Sequence, residues 1–215
     1  MDAFRVAGLL MTAYLLGSLS GSLLLGRLRG VDIRTLGSGN AGGTNALRTQ
    51  GWRFALGTVV VDVGKGALAT WLAVRFLPPS AQPWGTYACA LAAVAGHVWP
   101  LYHGLRGGKG AAALLGALLV AWPAVLPWVL GVWLVCLLSS GYVGLSTILA
   151  TLSATAVALL MHAGTTRLAF AVIAGLLVVF THRANLKRLL AGSEARFERA
   201  RVLARVFKRR RAGPG

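Results

Sequence analysis

Seven runs of almost uninterrupted apolar residues, at about 4–25, 54–77, 84–102, 110–126, 128–141, 144–161 and 167–181, constrain this chain more than any motif. A backbone in hydrocarbon must satisfy its own N–H and C=O groups, which leaves only helices and closed barrels. Barrel strands alternate lipid-facing and lumen-facing residues, whereas these runs are continuous, so they select helices. Composition agrees: 56% of the 215 residues are hydrophobic and 13% are charged, where a soluble domain carries about a quarter charged residues. The expectation is an all-α integral membrane protein of about seven transmembrane helices. Residues 1–197 would form one polytopic domain and 198–215 a basic cytoplasmic tail. Crossing takes roughly 20 residues. The fourth and fifth runs are short and carry Pro123 and Pro127, so tilted, kinked or partly re-entrant helices are expected there.

The formal net charge is +17, with five acids in the whole chain. In a soluble protein this would point to nucleic acid. Here the cations sit at the edges of apolar runs, which is how topology is encoded, so no nucleic-acid partner is expected. With the amino terminus outside, the inner segments hold Arg27, Arg29, Arg34, Arg48, Arg53, Arg106, Lys109 and the carboxyl tail, while the outer ones hold Arg5, Arg75 and Arg167. The carboxyl terminus is therefore placed in the cytoplasm. The basic cluster from Arg196 to Arg211 is read as amphipathic or disordered and lying on anionic membrane lipids. Trp84, Trp99, Trp122, Trp128 and Trp133 fall mostly near run ends, as an aromatic belt requires. Cys89 and Cys136 lie inside apolar runs and suggest neither disulfide framework nor metal site. The first run lacks a strongly basic start and a convincing cleavage site, so it is read as a span and not a leader.

This topology brings four polar segments to the inner face: "GSGNAGGTNALR" (37–48), "GLRGGKG" (104–110), "SSGYVGLST" (139–147) and "THRANLKRLL" (181–190). In the first, Gly37 and Gly39 free the backbone amides to turn toward one point, forming an anion nest. Ser38, Asn40, Thr44 and Asn45 add side-chain donors, and Arg48 adds a fork suited to phosphate. In the second, Gly107, Gly108 and Gly110 flank Lys109 directly before a helix start, whose positive end also favours an anion. Neither loop matches G-x-x-x-x-G-K-[ST], so a nucleotide loop is not supported. Together they suit one anion with two charged groups or two phosphorylated ligands.

Asp62 and Lys65 are three residues apart inside a span. Such a pair meets on one helix face and reads as self-neutralising and structural, with a functional role as the competing reading. His97 is a candidate base or phosphate donor, or else a hydrogen-bonded strut. His182 and Asn185 share a helical turn and suit a polar ligand, and Glu194 is a candidate to orient Arg48 or Lys109. His103 and His162 receive no role.

Taken in order, "GSGNAGGTNALR", "DVGKG", "GHVWPLYHGLRGGKG" and "HRANLKRLLAGSE" resemble the bacterial acyl-phosphate:glycerol-3-phosphate acyltransferase family, PlsY, over residues 8–197. The resemblance implies transfer of an acyl group from acyl-phosphate to the sn-1 hydroxyl of glycerol 3-phosphate, giving lysophosphatidic acid and phosphate, in the bacterial cytoplasmic membrane and without a cofactor or metal. It implies catalytic roles for Ser38, Arg48, Lys109, Thr147, His182 and Asn185. It also implies substrate contacts from Gly37, Gly39, Asn40, Thr44, Asn45, His97, Gly107, Gly108, Gly110, Ser146 and Glu194. This chain departs from the pattern at Gly144, where the family often has serine, and at Ala113, where threonine is common. Whether Ser146 or Thr147 is the working hydroxyl stays open.

No His here has Asp five positions on, so the dyad of soluble glycerol-phosphate acyltransferases is absent. Ser38 and Thr147 have no evident base, which disfavours an acyl-enzyme. Direct transfer, with the donor's phosphate accepting the proton, is the expected chemistry. The rival readings are a transporter for a phosphorylated metabolite and a scaffold anchored by the tail. A magnesium-dependent lipid phosphotransferase would need clustered acids that the inner loops lack.

Overall fold

The computed structural model describes residues 2–202, and among these the regular structure is all helical, with no strand. The chain runs through α1 (Asp2–Gly17), α2 (Gly21–Leu28), α3 (Gly43–Gln50), α4 (Trp52–Phe76), α5 (Trp84–Val98), α6 (Ala111–Ala121), α7 (Leu126–Ser140), α8 (Val143–Leu160), α9 (Thr165–Thr181) and α10 (Arg183–Leu190). Most of the basic tail expected over 198–215 lies outside the described residues.

Each of the seven apolar runs is helical, but not every helix is long. Trp52–Phe76, Pro123–Ser140 and Val143–Leu160 are long and apolar enough to cross a membrane. Two more spans result if the bent pairs α1–α2 and α9–α10 each count as one; their bends are 47° and 58°. α5 and α6, the third and fourth expected spans, have 15 and 11 residues, short of the roughly 20 that a crossing takes. Pro123 and Pro127 do not kink a span. Pro123 opens a short 3-10 turn, and Pro127 lies in the first turn of α7, where its missing N–H costs nothing.

The described residues divide into two compact units: 2–124 with 165–170, and 125–164 with 171–202. In the first, α4 packs on α6 and α1 on α5. Small residues allow this closeness. A Cβ on Gly66 would collide with the Ala113 carbonyl, and one on Gly116 with the Val63 carbonyl. Where lipid is as apolar as the side chains, such backbone proximity is a main source of helix association. In the second unit α7 packs on α8, and α10 touches α8.

The first apolar run, expected to be continuous over 4–25, is broken at residues 18–20. The break takes the carbonyls of Gly17 and Leu19 and the N–H of Gly21 out of the helical hydrogen-bond ladder. Lys65 Nζ donates to Gly17 O at 2.7 Å and Leu19 O at 2.6 Å, and Gly21 N donates to Asp62 Oδ1 at 3.1 Å. Lys65 and Asp62 are themselves 3.1 Å apart. The buried pair is structural: its two charges satisfy the interrupted backbone of the neighbouring helix.

Trp122 departs from the expected aromatic belt. It is buried, with the Arg167 guanidinium 5.7 Å over its ring. Trp84 and Trp128 are exposed, as a belt requires.

Candidate active site

In the first unit, the loop from Ile33 to Arg48 is fixed from below by apolar anchors. Ile33, Ala41 and Ala46 are fully buried against Leu23, Phe54 and Ala55. Burying one such side chain as large as Ile33 contributes about 1.5–3 kcal/mol, which anchors the irregular stretch between the 3-10 turn at Ile33–Thr35 and α3. Asn45 then shapes it. Its Nδ2 donates to Ile33 O at 3.1 Å and Leu36 O at 2.9 Å, and its Oδ1 accepts from Ser38 N at 3.0 Å. Gly37 has φ +56°, and a Cβ there would strike Asn45 Oδ1. Asn45, expected to contact substrate, therefore has both amide hydrogens engaged by the loop itself and serves as its internal strut. Ser38, Gly37, Gly39 and Arg48 remain exposed, with Asn40 and Thr44 half-buried.

The second loop is held by the end of α5. Gly107 N donates to Val98 O and Gly108 N to His97 O, each at 3.1 Å. Gly110, at φ +89°, turns the chain into α6. A Cβ on Gly108 would strike the His97 ring and come within 2.9 Å of the Ala41 carbonyl. The two glycine loops thus touch, Gly108 against Ala41, and Lys109, the next residue, is half-buried. His97 is 2% exposed, its Nδ1 3.4 Å from Asp62 Oδ1 and its Nε2 edge under Gly108. Enclosed in this way, it reads as the strut and not as a base. His103 is buried too, and burial, followed by the nearby Arg27 and Arg34 charges, pushes its pKa below the ordinary imidazole range.

In the second unit, α8 and α10 bring the other two polar segments together. Ser146 is fully buried, and its Oγ donates to Tyr142 O at 2.8 Å. Thr147 is 9% exposed; its Oγ1 donates to Val143 O at 2.9 Å and accepts from Trp133 Nε1 at 3.3 Å. His182 Nδ1 lies 2.9 Å from Val178 O. A carbonyl at that distance requires Nδ1 to carry the proton, which leaves the neutral ring's lone pair on Nε2. Asn185 Nδ2 donates to Glu194 Oε1 at 2.6 Å, and Arg188 Nε to Glu194 Oε2 at 2.7 Å. Both Glu194 oxygens are thereby engaged within this unit. At Gly144 a Cβ would lie 2.9–3.0 Å from the Asn185 side chain. Glycine is thus what lets Asn185 pack against α8.

Some contributors are invisible in the sequence. Trp133, expected in the aromatic belt, lies mid-helix and orients Thr147. Arg196 donates to the Tyr142 hydroxyl and stacks 4.7 Å over its ring, while Phe197 N donates to Gly141 O at 2.8 Å, so the segment after α10 returns to the start of α8. No local signal marks these contacts, since each joins residues more than ten positions apart.

The family profile described as Glycerol-3-phosphate acyltransferase matches residues 7–192. A protein named glycerol-3-phosphate acyltransferase from Synechococcus sp. (strain CC9902) is 42% identical over 190 residues, covering 87% of this chain and 93% of that one. One of the same name from Aquifex aeolicus (strain VF5) is 36% identical, covering 88% and 97%. Among solved structures, crystal structures of PlsY, an integral membrane glycerol 3-phosphate acyltransferase, superpose well. The glycerol 3-phosphate form gives a TM-score of 0.85 at 36% identity over 92% of this chain and 98% of that chain. The lysophosphatidic acid form gives 0.83 at 35% identity over the same shares. A profile that spans both glycine loops and α10, on a fold shared nearly end to end, makes this multi-pass membrane chain a member of the glycerol-3-phosphate acyltransferase family.

Proposed function

We propose that this protein transfers a fatty acyl group from acyl-phosphate to the sn-1 hydroxyl of glycerol 3-phosphate, in the bacterial cytoplasmic membrane, with its glycine loops on the cytoplasmic side. The observation that carries the reading is the contact of Gly108 with Ala41, which joins the loop ending in Arg48 to the loop holding Lys109. The glycerol oxygen attacks the acyl carbonyl carbon, and the bond from that carbon to the phosphate oxygen breaks. The hydroxyl proton passes to an oxygen of the departing phosphate, so the products are lysophosphatidic acid and inorganic phosphate. Arg48 and Lys109 are assigned to phosphate oxygens, with the Ser38 hydroxyl and Gly37 beside them; the amides of Gly39, Gly107 and Gly108, expected in an anion nest, instead donate to Leu36 O, Val98 O and His97 O and hold the loops in shape. His182, through Nε2, with Asn185 and Thr147, is assigned to glycerol 3-phosphate or the developing oxyanion. Thr147 is preferred to Ser146 as the working hydroxyl because it keeps 9% exposure, whereas Ser146 is fully buried. Each cation acts where charge gathers in the transition state, the largest source of catalysis in a water-poor site.

Purified full-length protein, given palmitoyl-phosphate and glycerol 3-phosphate, should release lysophosphatidic acid and phosphate in equal amounts. Absence of both products overturns the reading. Lys109→Ala should lower turnover about a hundredfold or more, and near-normal turnover in that variant would remove Lys109 from the mechanism. A trapped acyl-serine or acyl-threonine would overturn the single-step scheme.

A further inference from the structure

The turn that leads into the second glycine loop is strained. Leu105 has φ +57° without being glycine, a conformation that persists only where the surroundings impose it. Leu105 N donates to Pro100 O at 3.0 Å. The other constraint comes from Arg34 in the first loop, whose Nη1 donates to His103 O at 2.8 Å and to Arg106 O at 3.2 Å. One guanidinium nitrogen thus ties the carbonyls on either side of the strained turn.

The guanidinium is itself held in plane. Asp32 Oδ1 accepts from Arg34 Nε at 3.0 Å and from the Arg34 backbone N–H at 2.9 Å, and its Oδ2 accepts from Nη2 at 2.8 Å. A half-exposed ion pair contributes little to stability by itself. Its effect here is orientation: with Nε and Nη2 fixed by the carboxylate, Nη1 points only at the turn. A lysine, a single point charge on a flexible stem, cannot grip Asp32 and two carbonyls together. The Arg34 side-chain hydrogen bond also holds the Asp32 carboxyl down to about 2, so the clamp is ionised at any working pH.

We propose that Asp32 and Arg34 are positioning residues that lock the second glycine loop to the first and so fix the register of Gly107, Gly108 and Lys109. The catalytic consequence rests on the acyl-transfer reading above; the mechanical one does not. Gly107 and Gly108 follow Arg106 directly and pair with Val98 and His97. A turn released at Arg106 would therefore loosen the loop amides and move Lys109.

The test uses the full chain in detergent with Arg34→Ala, Arg34→Lys and Asp32→Asn, read two ways. Hydrogen exchange at the amides of 104–110 should accelerate at least fivefold in Arg34→Ala and Arg34→Lys, and less in Asp32→Asn. With palmitoyl-phosphate and glycerol 3-phosphate, kcat/KM should fall at least tenfold in Arg34→Ala at an unchanged melting temperature, and Arg34→Lys should recover less than a third of the loss. Wild-type kinetics in Arg34→Lys would assign Arg34 a role through charge alone and overturn the proposal. So would wild-type exchange in Arg34→Ala, whatever its activity. A wild type that makes no lysophosphatidic acid would overturn the acyl-transfer reading, while the exchange result would still decide the clamp.

Discussion

At the residue scale, identity and role came apart. Ser38, Arg48 and Lys109 are proposed for phosphate because such a site needs donors and cations near glycine; Ser38 and Arg48 are exposed and Lys109 is half-buried. Asn45 looked the same in the sequence, yet it is 1% exposed and holds three loop groups. A donor's direction depends on the fold of its own loop, which composition does not contain. Asn45→Ala should therefore cost about 1–3 kcal/mol, the range for leaving buried partners unsatisfied. Thermal melts in detergent should show the drop, together with lost activity. His103 predicts a pH effect. Its folded pKa lies below the ordinary 6.5, so the unfolded chain binds a proton more readily. Stability is then complete above about pH 6.5, falls as pH drops below that value, and levels off once the folded form titrates as well. Melting temperatures between pH 7.5 and 5.5 should show this fall, and His103→Leu should flatten it.

Among elements, the helices were legible and their interruptions were not. Residues 18–20 read Ser-Leu-Ser, with no proline to stop a helix, and hydropathy runs through them. The break is set by Lys65 and Asp62, more than forty positions away, which supply what the interrupted backbone lacks. The pairing of Asp62 with Lys65 could be read from their spacing of three; the helix end that they serve could not. Lys65→Met leaves a buried carboxylate and two carbonyls without their cation, a change expected to cost about 3–5 kcal/mol. A melting curve would report it, and adding Asp62→Asn should restore part of the loss by removing the stranded charge.

For the whole molecule, a run of apolar residues identifies a helix but not whether it crosses. α6 carries eleven residues, and its inward face is set by α4, not by lipid alone. The placement of Lys and Arg gave an orientation that can be tested directly. A cysteine placed at exposed Ser38 or Arg106, in a chain with Cys89 and Cys136 replaced, should react with a membrane-impermeant maleimide in inside-out vesicles. Reaction confined to right-side-out vesicles would invert the topology.

Eleven residues rise about 16 Å, roughly half the depth of a bilayer's oily layer. Lys109 stands two positions ahead of that short rod. A rod that short lets the polar stretch ahead of it, residues 104–110, sit deeper than the headgroups at which a full-length span would end. A soluble phosphate ester and a dissolved fatty tail can then meet at one depth, and neither has to leave its own medium for the reaction to occur.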